Sequence, residues 1–334
     1  MELKEIGEFG LIELIKNKIA VKDKRVIVNI GDDAAILKSS ANKVLIFTTD
    51  SLMEKVHFDL KYSSFEDAGW KSMAANLSDI AAVGGIPVAG LVSLGIPEKT
   101  KAENILKLYS GIKKLSSEFN CPIVGGDLFT SAGGLVITIS LLGEVEKKLY
   151  KTRAGAKTGD LIYVTGDLGG SEFGLKYLKR CSGKRRMVIT RSVITEKHLT
   201  PYPRIKEARF LVKNLKLTSM IDISDGLSSD LYHICEGSQK GALIYADKIP
   251  INSNIIKGCK LLNLSPLNTA LSSGEEYELL FTLNPEEEKK LEKVSHGKFR
   301  VSMIGEIREE KAGVRIKSKD GRVRVLKKTG YIHF

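Results

Sequence analysis

Apolar and polar positions along this 334-residue chain fall into segments of two periods, and each period predicts an element. Residues 6–19 place Ile6, Phe9, Leu11, Ile12, Leu14, Ile15 and Ile19 at near-helical spacing, which predicts a first amphipathic helix. Short apolar runs at 26–30 and 44–48 predict strands that lead into aspartates, so GDD and TTD are expected at strand ends. The Ala-rich stretch 65–83 predicts a helix, with Gly84, Gly85 and Pro87 as its stop. Then follow a strand at 90–95, a helix at 101–119, a short strand at 122–125 and a strand at 135–143. Strands are predicted again at 161–165, 220–223 and 279–282, with helices opening at 171 and 227 and spanning 201–212. The tail, 301–325, reads as strands and hairpins.

This intermingling predicts an α/β protein, and 334 residues exceed the size at which one core stops growing. The polar, basic, small-residue stretch 144–159, EVEKKLYKTRAGAKTG, places a boundary between domains 1–146 and 147–334. Hydrophobic residues at 43% and charged residues at 28% exclude disorder, and no apolar run reaches transmembrane length. The N-terminal residues lack a signal-peptide pattern, and Cys121, Cys181, Cys235 and Cys259 form no CxxC pair, so a cytoplasmic protein with reduced thiols is expected. A net charge of +12 raises nucleic acid as a partner. The lysines are spread along the chain, however, and only residues 180–186 are locally dense, as a solvated loop also would be.

Five segments set aspartates among Gly, Ser, Thr or Asn at the end of a hydrophobic run: GDDAA at 31–35, TTDS at 48–51, NLSD at 76–79, GGD at 125–127 and DISDGL at 222–227. Carboxylates gathered in one pocket repel each other unless hard cations sit among them, which is the chemistry of Mg²⁺ and phosphate. Singly, several have plainer readings. GDDAA has the composition of a turn, TTDS that of a helix cap, and GGD that of a hairpin turn. Asp79 lies in an apolar helix, where it points to solvent or meets a cation. DISDGL is the most specific, because Asp222, Ser224 and Asp225 present several oxygens at one sheet edge. GDLGG at 166–170 has neither the dinucleotide spacing nor a terminal GK[ST], and no HRD or DFG set occurs, which disfavours P-loop and protein kinases.

The segments GEFGLI, GDDAA, TTDSLMEKVHF, WKSMAANLSDIAAVGGIP, VGGD, TRAGAKTGDLIYVTGDLGG, HLTPYPRI, DISDGLSSDL, GEEYELLFT and TGYIHF resemble, in that order and over residues 7–334, the thiamine-monophosphate kinase family. That family sits in an ATP-binding superfamily with aminoimidazole ribonucleotide synthetase and selenophosphate synthetase. The resemblance implies ATP- and Mg²⁺-dependent phosphorylation of thiamine phosphate by direct transfer, without a catalytic nucleophile. It carries Asp33, Thr48, Thr49, Asp50, Asp79, Asp127, Asp222 and Asp225 onto metal positions, and it favours Asp33 over Asp32, between which the residues alone do not choose. Tyr109, Gly126, Asp127, Arg153 and Ser224 fall on the ATP side, and His57, Glu275 and Tyr331 on thiamine phosphate positions. An aromatic ring beside a carboxylate would suit the thiazolium cation.

The resemblance further implies an α+β N-terminal domain that binds ATP and Mg²⁺, with an α/β C-terminal domain. The N-terminal sheet would pair across a homodimer as a β-barrel. Two departures stand out: GEEYEL replaces the more common GEDYEL, which puts a role for Glu276 in doubt, and Tyr331 stands where tryptophan is frequent. The competing expectations are another ATP-dependent synthetase or kinase of this superfamily and a nucleic-acid module. The aspartate clusters oppose the module by repelling phosphate. Neither nucleic acid nor membrane is expected as a partner.

Overall fold

The computed structural model describes residues 24, 26–28, 32–40, 42–181 and 193–331. The helix expected at 6–19 and most of the basic segment 180–186 lie outside the described residues. Strands β1 (Val26–Val28), β2 (Ala35–Lys38), β3 (Lys43–Met53), β4 (Ile86–Ile96), β5 (Ile123–Thr130) and β6 (Val136–Glu146) form one sheet in the order β1-β2-β3-β6-β4-β5. Helices α1 (Phe65–Ala82) and α2 (Ala102–Glu118) belong to the same half of the chain.

The second half contributes β7 (Leu161–Thr165), β8 (Leu217–Asp222), β9 (Lys240–Tyr245), β10 (Leu279–Leu283), β11 (Val301–Glu309), β12 (Val314–Lys317) and β13 (Val323–Val325). Its order is β13-β12-β9-β11-β7-β10-β8, antiparallel throughout except for β9 with β12. Its helices are α3 (Gly170–Cys181), α4 (Val193–Leu199), α5 (Ile205–Asn214), α6 (Leu227–Ser238), α7 (Ser253–Leu261), α8 (Pro266–Ser272) and α9 (Glu288–Ser295). The architecture is mixed α/β with two sheets, and no helix among the described residues is long and apolar enough to cross a membrane.

Helix α1 joins the halves. Its start is a capping box, in which Ser64 Oγ accepts from the Asp67 amide at 3.0 Å and Asp67 Oδ2 accepts from the Ser64 amide at 2.9 Å. Its buried Met73, Leu77 and Ile80 share one core with Val44 and Ile46 of β3, Met220 of β8 and Phe281 of β10. The opposite face of the second sheet has its own core, where Ile162, Ile221 and Leu280 pack with Leu231 and Ile234 of α6.

Three predicted boundaries are corrected. TTDS lies inside the 11-residue β3 and not at its end, because threonines suit a pleated strand and the alternation continues through Thr48, Asp50 and Leu52 on the inner side. GGD lies inside β5, paired in parallel with β4, and makes no turn. The helix ends before Gly84 as expected, but the strand expected from 90 already begins at Ile86, so Pro87 sits in β4 at a register shift between Pro87 and Ala89, as expected where a residue cannot donate to the ladder.

Candidate active site

An acidic centre forms where β3, α1 and β8 meet. Strand alternation turns Thr48 and Asp50 toward α1, where Thr48 Oγ1 donates to Asp79 Oδ2 and the Asp50 amide donates to Asn76 Oδ1 at 3.1 Å. Asp222 ends β8 with the parity of Met220, so it faces α1 and accepts from Ser78 Oγ. Asp33 enters from the turn before β2, and ligand oxygens of Asp33, Asp79 and Asp222 lie within 4.8 Å of one another.

Burial raises the carboxyl of Asp222 to about 8, helped by the charge of Asp33. Burial likewise raises Asp79 well above the carboxylate range, with Asp50, Asp222 and Asp33 adding repulsion. The centre's cation is Arg153, whose Nε and Nη2 donate to Asp33 Oδ1 at 3.2 and 2.6 Å. Even so, Asp33 Oδ2 and Asp222 Oδ1 are buried with no hydrogen-bond partner among the described residues. Oxygen-only donors with unmatched lone pairs fit a hard divalent cation. Asp32, next in sequence, instead accepts from the Asp33 amide at 3.0 Å and is raised to about 6, mainly by burial.

The DISDGL loop forms the adjacent wall. The Glu275 amide donates to Ser224 O at 2.7 Å and the Tyr331 amide to Asp225 O at 3.0 Å, so two distant segments are stitched onto it. Gly330, at φ +158°, permits this approach, since a Cβ there would lie 2.4 Å from Asp225 O. One turn into α6, Asp230 and His233 join Asp225 in a second group with ligand atoms within 4.8 Å. Sequence reasoning missed both; their signal was the i, i+3 spacing on a helix that starts at the aspartate loop.

These walls enclose a cleft of about 1290 Å³. Asp33, Thr48, Thr49, Asp50, Asp79, Arg153, Asp222, Ser224 and Asp225 line it, as do His57, Glu275 and Tyr331. The hydroxyl of Thr49 turns to β6, meeting Ile139 O at 3.1 Å and Ser140 Oγ at 2.9 Å. The rings of His57 and Tyr331 stand 6.0 Å apart at 51°. Glu275 is not a bare countercharge: Lys71 Nζ donates to its Oε2 at 2.6 Å. Glu276 turns away from the cleft into a buried pair with Lys197 at 2.8 Å and accepts from the Ser171 amide at 3.0 Å.

Over residues 31–145 the chain matches the family described as AIR synthase related protein, N-terminal domain, and over 157–317 the corresponding C-terminal domain. It is 39% identical over 98% of both chains to the thiamine-monophosphate kinase of Buchnera aphidicola subsp. Acyrthosiphon pisum. The same enzyme of Bacillus subtilis is 35% identical, covering 98% of this chain and 100% of its own length. The chain belongs to the thiamine-monophosphate kinase family. A solved structure described as AaThiL complexed with AMPPCP and TMP superimposes with a TM-score of 0.86 at 33% identity, covering 100% of this chain and 99% of that one.

Three positions that the thiamine-monophosphate kinase pattern assigns to nucleotide and metal lie off this cleft. Tyr109 is on α2, and Gly126 and Asp127 are in β5. Asp127 pairs with Ser93, Ser93 with Thr138 and Thr138 with Ser51, so Asp127 is three strands, roughly 14 Å, from the β3 wall. Gly126 is required by its own strand, because a Cβ there would lie 1.8 Å from Val92 O.

Proposed function

We propose that this chain phosphorylates thiamine phosphate to thiamine diphosphate, with ATP as the phosphoryl donor and Mg²⁺ ions held by the aspartates of the cleft. The observation that carries the reading is the cluster of Asp33, Asp79 and Asp222, with unmatched buried oxygens, in the same cleft as His57, Glu275 and Tyr331. The relative solved with AMPPCP and TMP supports the choice of substrates.

Asp33, Thr48, Asp50, Asp79, Asp222 and Asp225 would hold the ions, which when bound neutralise and align the phosphates, and Thr49, whose hydroxyl is turned to β6, would reach them through its main chain. Arg153 and Ser224 face the nucleotide, and the Arg153 fork, already at Asp33, is placed to grip a phosphate. His57 and Tyr331 offer ring faces to the thiazolium. The acceptor phosphate is largely ionised near neutral pH, so no side chain has to take its proton. Purified protein given ATP, Mg²⁺ and thiamine phosphate is expected to release ADP and thiamine diphosphate one to one. No product at millimolar substrate overturns the reading.

The domains divide at residues 146 and 147, where β6 ends, and the active protein is a cytoplasmic homodimer. What supports the dimer is the outer face of the first sheet, which exposes Phe47, Met53, Leu91 and Phe129 at 42–48%. Edge strand β5, exposed from Val124 to Thr130, belongs to that face. Pairing there would let Tyr109, Gly126 and Asp127 serve a cleft other than their own.

The raised carboxyls give a pH dependence. Asp222 binds its proton more tightly folded than unfolded, so its contribution to stability is full below the ordinary value of 3.8 and is lost as pH rises through about 8. Asp32, raised to about 6, acts in the same direction. Because a divalent ion competes with those protons, Mg²⁺ with ATP is expected to raise the melting temperature more at pH 8 than at pH 6. A pH-independent increment contradicts the assignment of the ions to these carboxylates.

A further inference from the structure

Lys71 is an anomaly within α1: its side chain is 3% exposed in a helix otherwise rich in alanine and other small or apolar residues. Its ammonium donates to the His57 carbonyl at 2.9 Å and to Glu275 Oε2 at 2.6 Å, joining residues 14 and 204 positions away in the chain. Burial lowers its pKa, and the Glu275 carboxylate offsets only part of that shift. Lys71 does not line the cleft, whereas His57 and Glu275 do, so it acts beneath the surface of the wall they form.

The Glu275 wall also needs holding. Glu275 and Tyr277 have φ of +56° and +50°, left-handed conformations that side chains rarely adopt without support from their surroundings. The support comes from amide bonds of Glu275 to Ser224 O and of Tyr277 to Ile223 O, and from Lys71 on the side chain. Among the described residues no hydrogen bond reaches Glu275 Oε1, which leaves one carboxylate oxygen for a ligand. The same helix face carries Ala75 and Asp79, both on the cleft, with Asp79 about 12 Å along the axis from Lys71.

We propose that Lys71 is a positioning residue for the acceptor. By clamping the His57 backbone and the Glu275 carboxylate to one ammonium, it fixes the spacing of the two walls between which thiamine phosphate binds. Glu275 then serves as an oriented hydrogen-bond acceptor with its charge already balanced. The inference rests on the proposed function and deepens it.

The test uses the full chain and the variants Lys71→Met, Lys71→Arg and Lys71→Met with Glu275→Gln, with initial rates varied in each substrate and melting temperatures alongside. For Lys71→Met the KM for thiamine phosphate rises about tenfold or more, while the KM for ATP stays within about twofold. Lys71→Arg recovers part of the loss. The double variant removes both charges of the pair together and is expected to fold, yet it keeps the raised acceptor KM. Equal rises in both KM values, an arginine variant no better than methionine, or a normal acceptor KM in the double variant overturns the proposal while wild type remains active. An inactive wild type removes the functional reading and this inference with it.

Discussion

Asp222→Asn is expected to reduce kcat by a factor on the order of 10³ while raising the melting temperature of the metal-free protein. Asparagine keeps a side-chain carbonyl to accept from Ser78 Oγ, so the hydrogen bond that seats residue 222 against α1 survives. What is lost is one buried negative charge beside Asp33 and Asp79. Holding that charge without a cation is costly, so burial raises the carboxyl to about 8 and the metal-free protein keeps it largely protonated near neutral pH, whereas the ionised form serves a ligand that brings positive charge. Activity and stability therefore move in opposite directions. Steady-state kinetics and thermal melts on the same preparation check both, and near-normal turnover means the carboxylate cluster is not the reacting centre.

The order of elements was legible in the sequence because α1, β7, α6 and β10 carry strong periods and clear stops. Helix α1 was expected at 65–83 and is found at Phe65–Ala82; β7 falls on its expected residues. The strands that carry the acids were less legible. Thr48, Thr49, Asp50 and Ser51 are turn and cap residues by type, yet in β3 they continue an inside-outside alternation that only a sheet neighbour, β6, can fix. The aspartates stood out because every one follows an apolar run. Lys71, Lys197 and Arg204 did not, since a cation's burial depends on partners more than 70 residues away. The departure at Glu276 is accounted for by the same kind of contact: its carboxylate reaches Lys197 and the Ser171 amide inside the C-terminal half.

That contact belongs to a network whose removal has the largest expected effect on stability. Glu278 is fully buried and takes Arg204 through two bonds of 2.7 Å, Lys197 at 3.0 Å and Thr165 Oγ1 at 2.7 Å. Burial alone would raise its carboxyl, but Lys197 and Arg204 outweigh burial and hold it down at about 2. Glu278→Ala takes from Arg204 the carboxylate that grips it through two bonds, leaving it Glu207, takes from Lys197 one of its two carboxylates, and is expected to cost about 3–5 kcal/mol. For a chain of this size that is a fall in melting temperature of roughly 5–15 °C. The sign with pH is opposite to that of Asp222. A depressed carboxyl contributes its stability above the unfolded value of 4.5 and loses it as pH falls through about 2, so the gap between wild type and variant should be full at pH 7 and shrink toward pH 2. Glu278→Gln, which keeps acceptor capacity for Thr165 but not the charge, should fall between them. Because Glu275, Glu276 and Glu278 share one loop and Lys197 grips two of them, the alanine variant should also weaken thiamine phosphate more than ATP at a temperature where it remains folded. Unchanged melting with unchanged kinetics would show that the acceptor wall does not depend on this network.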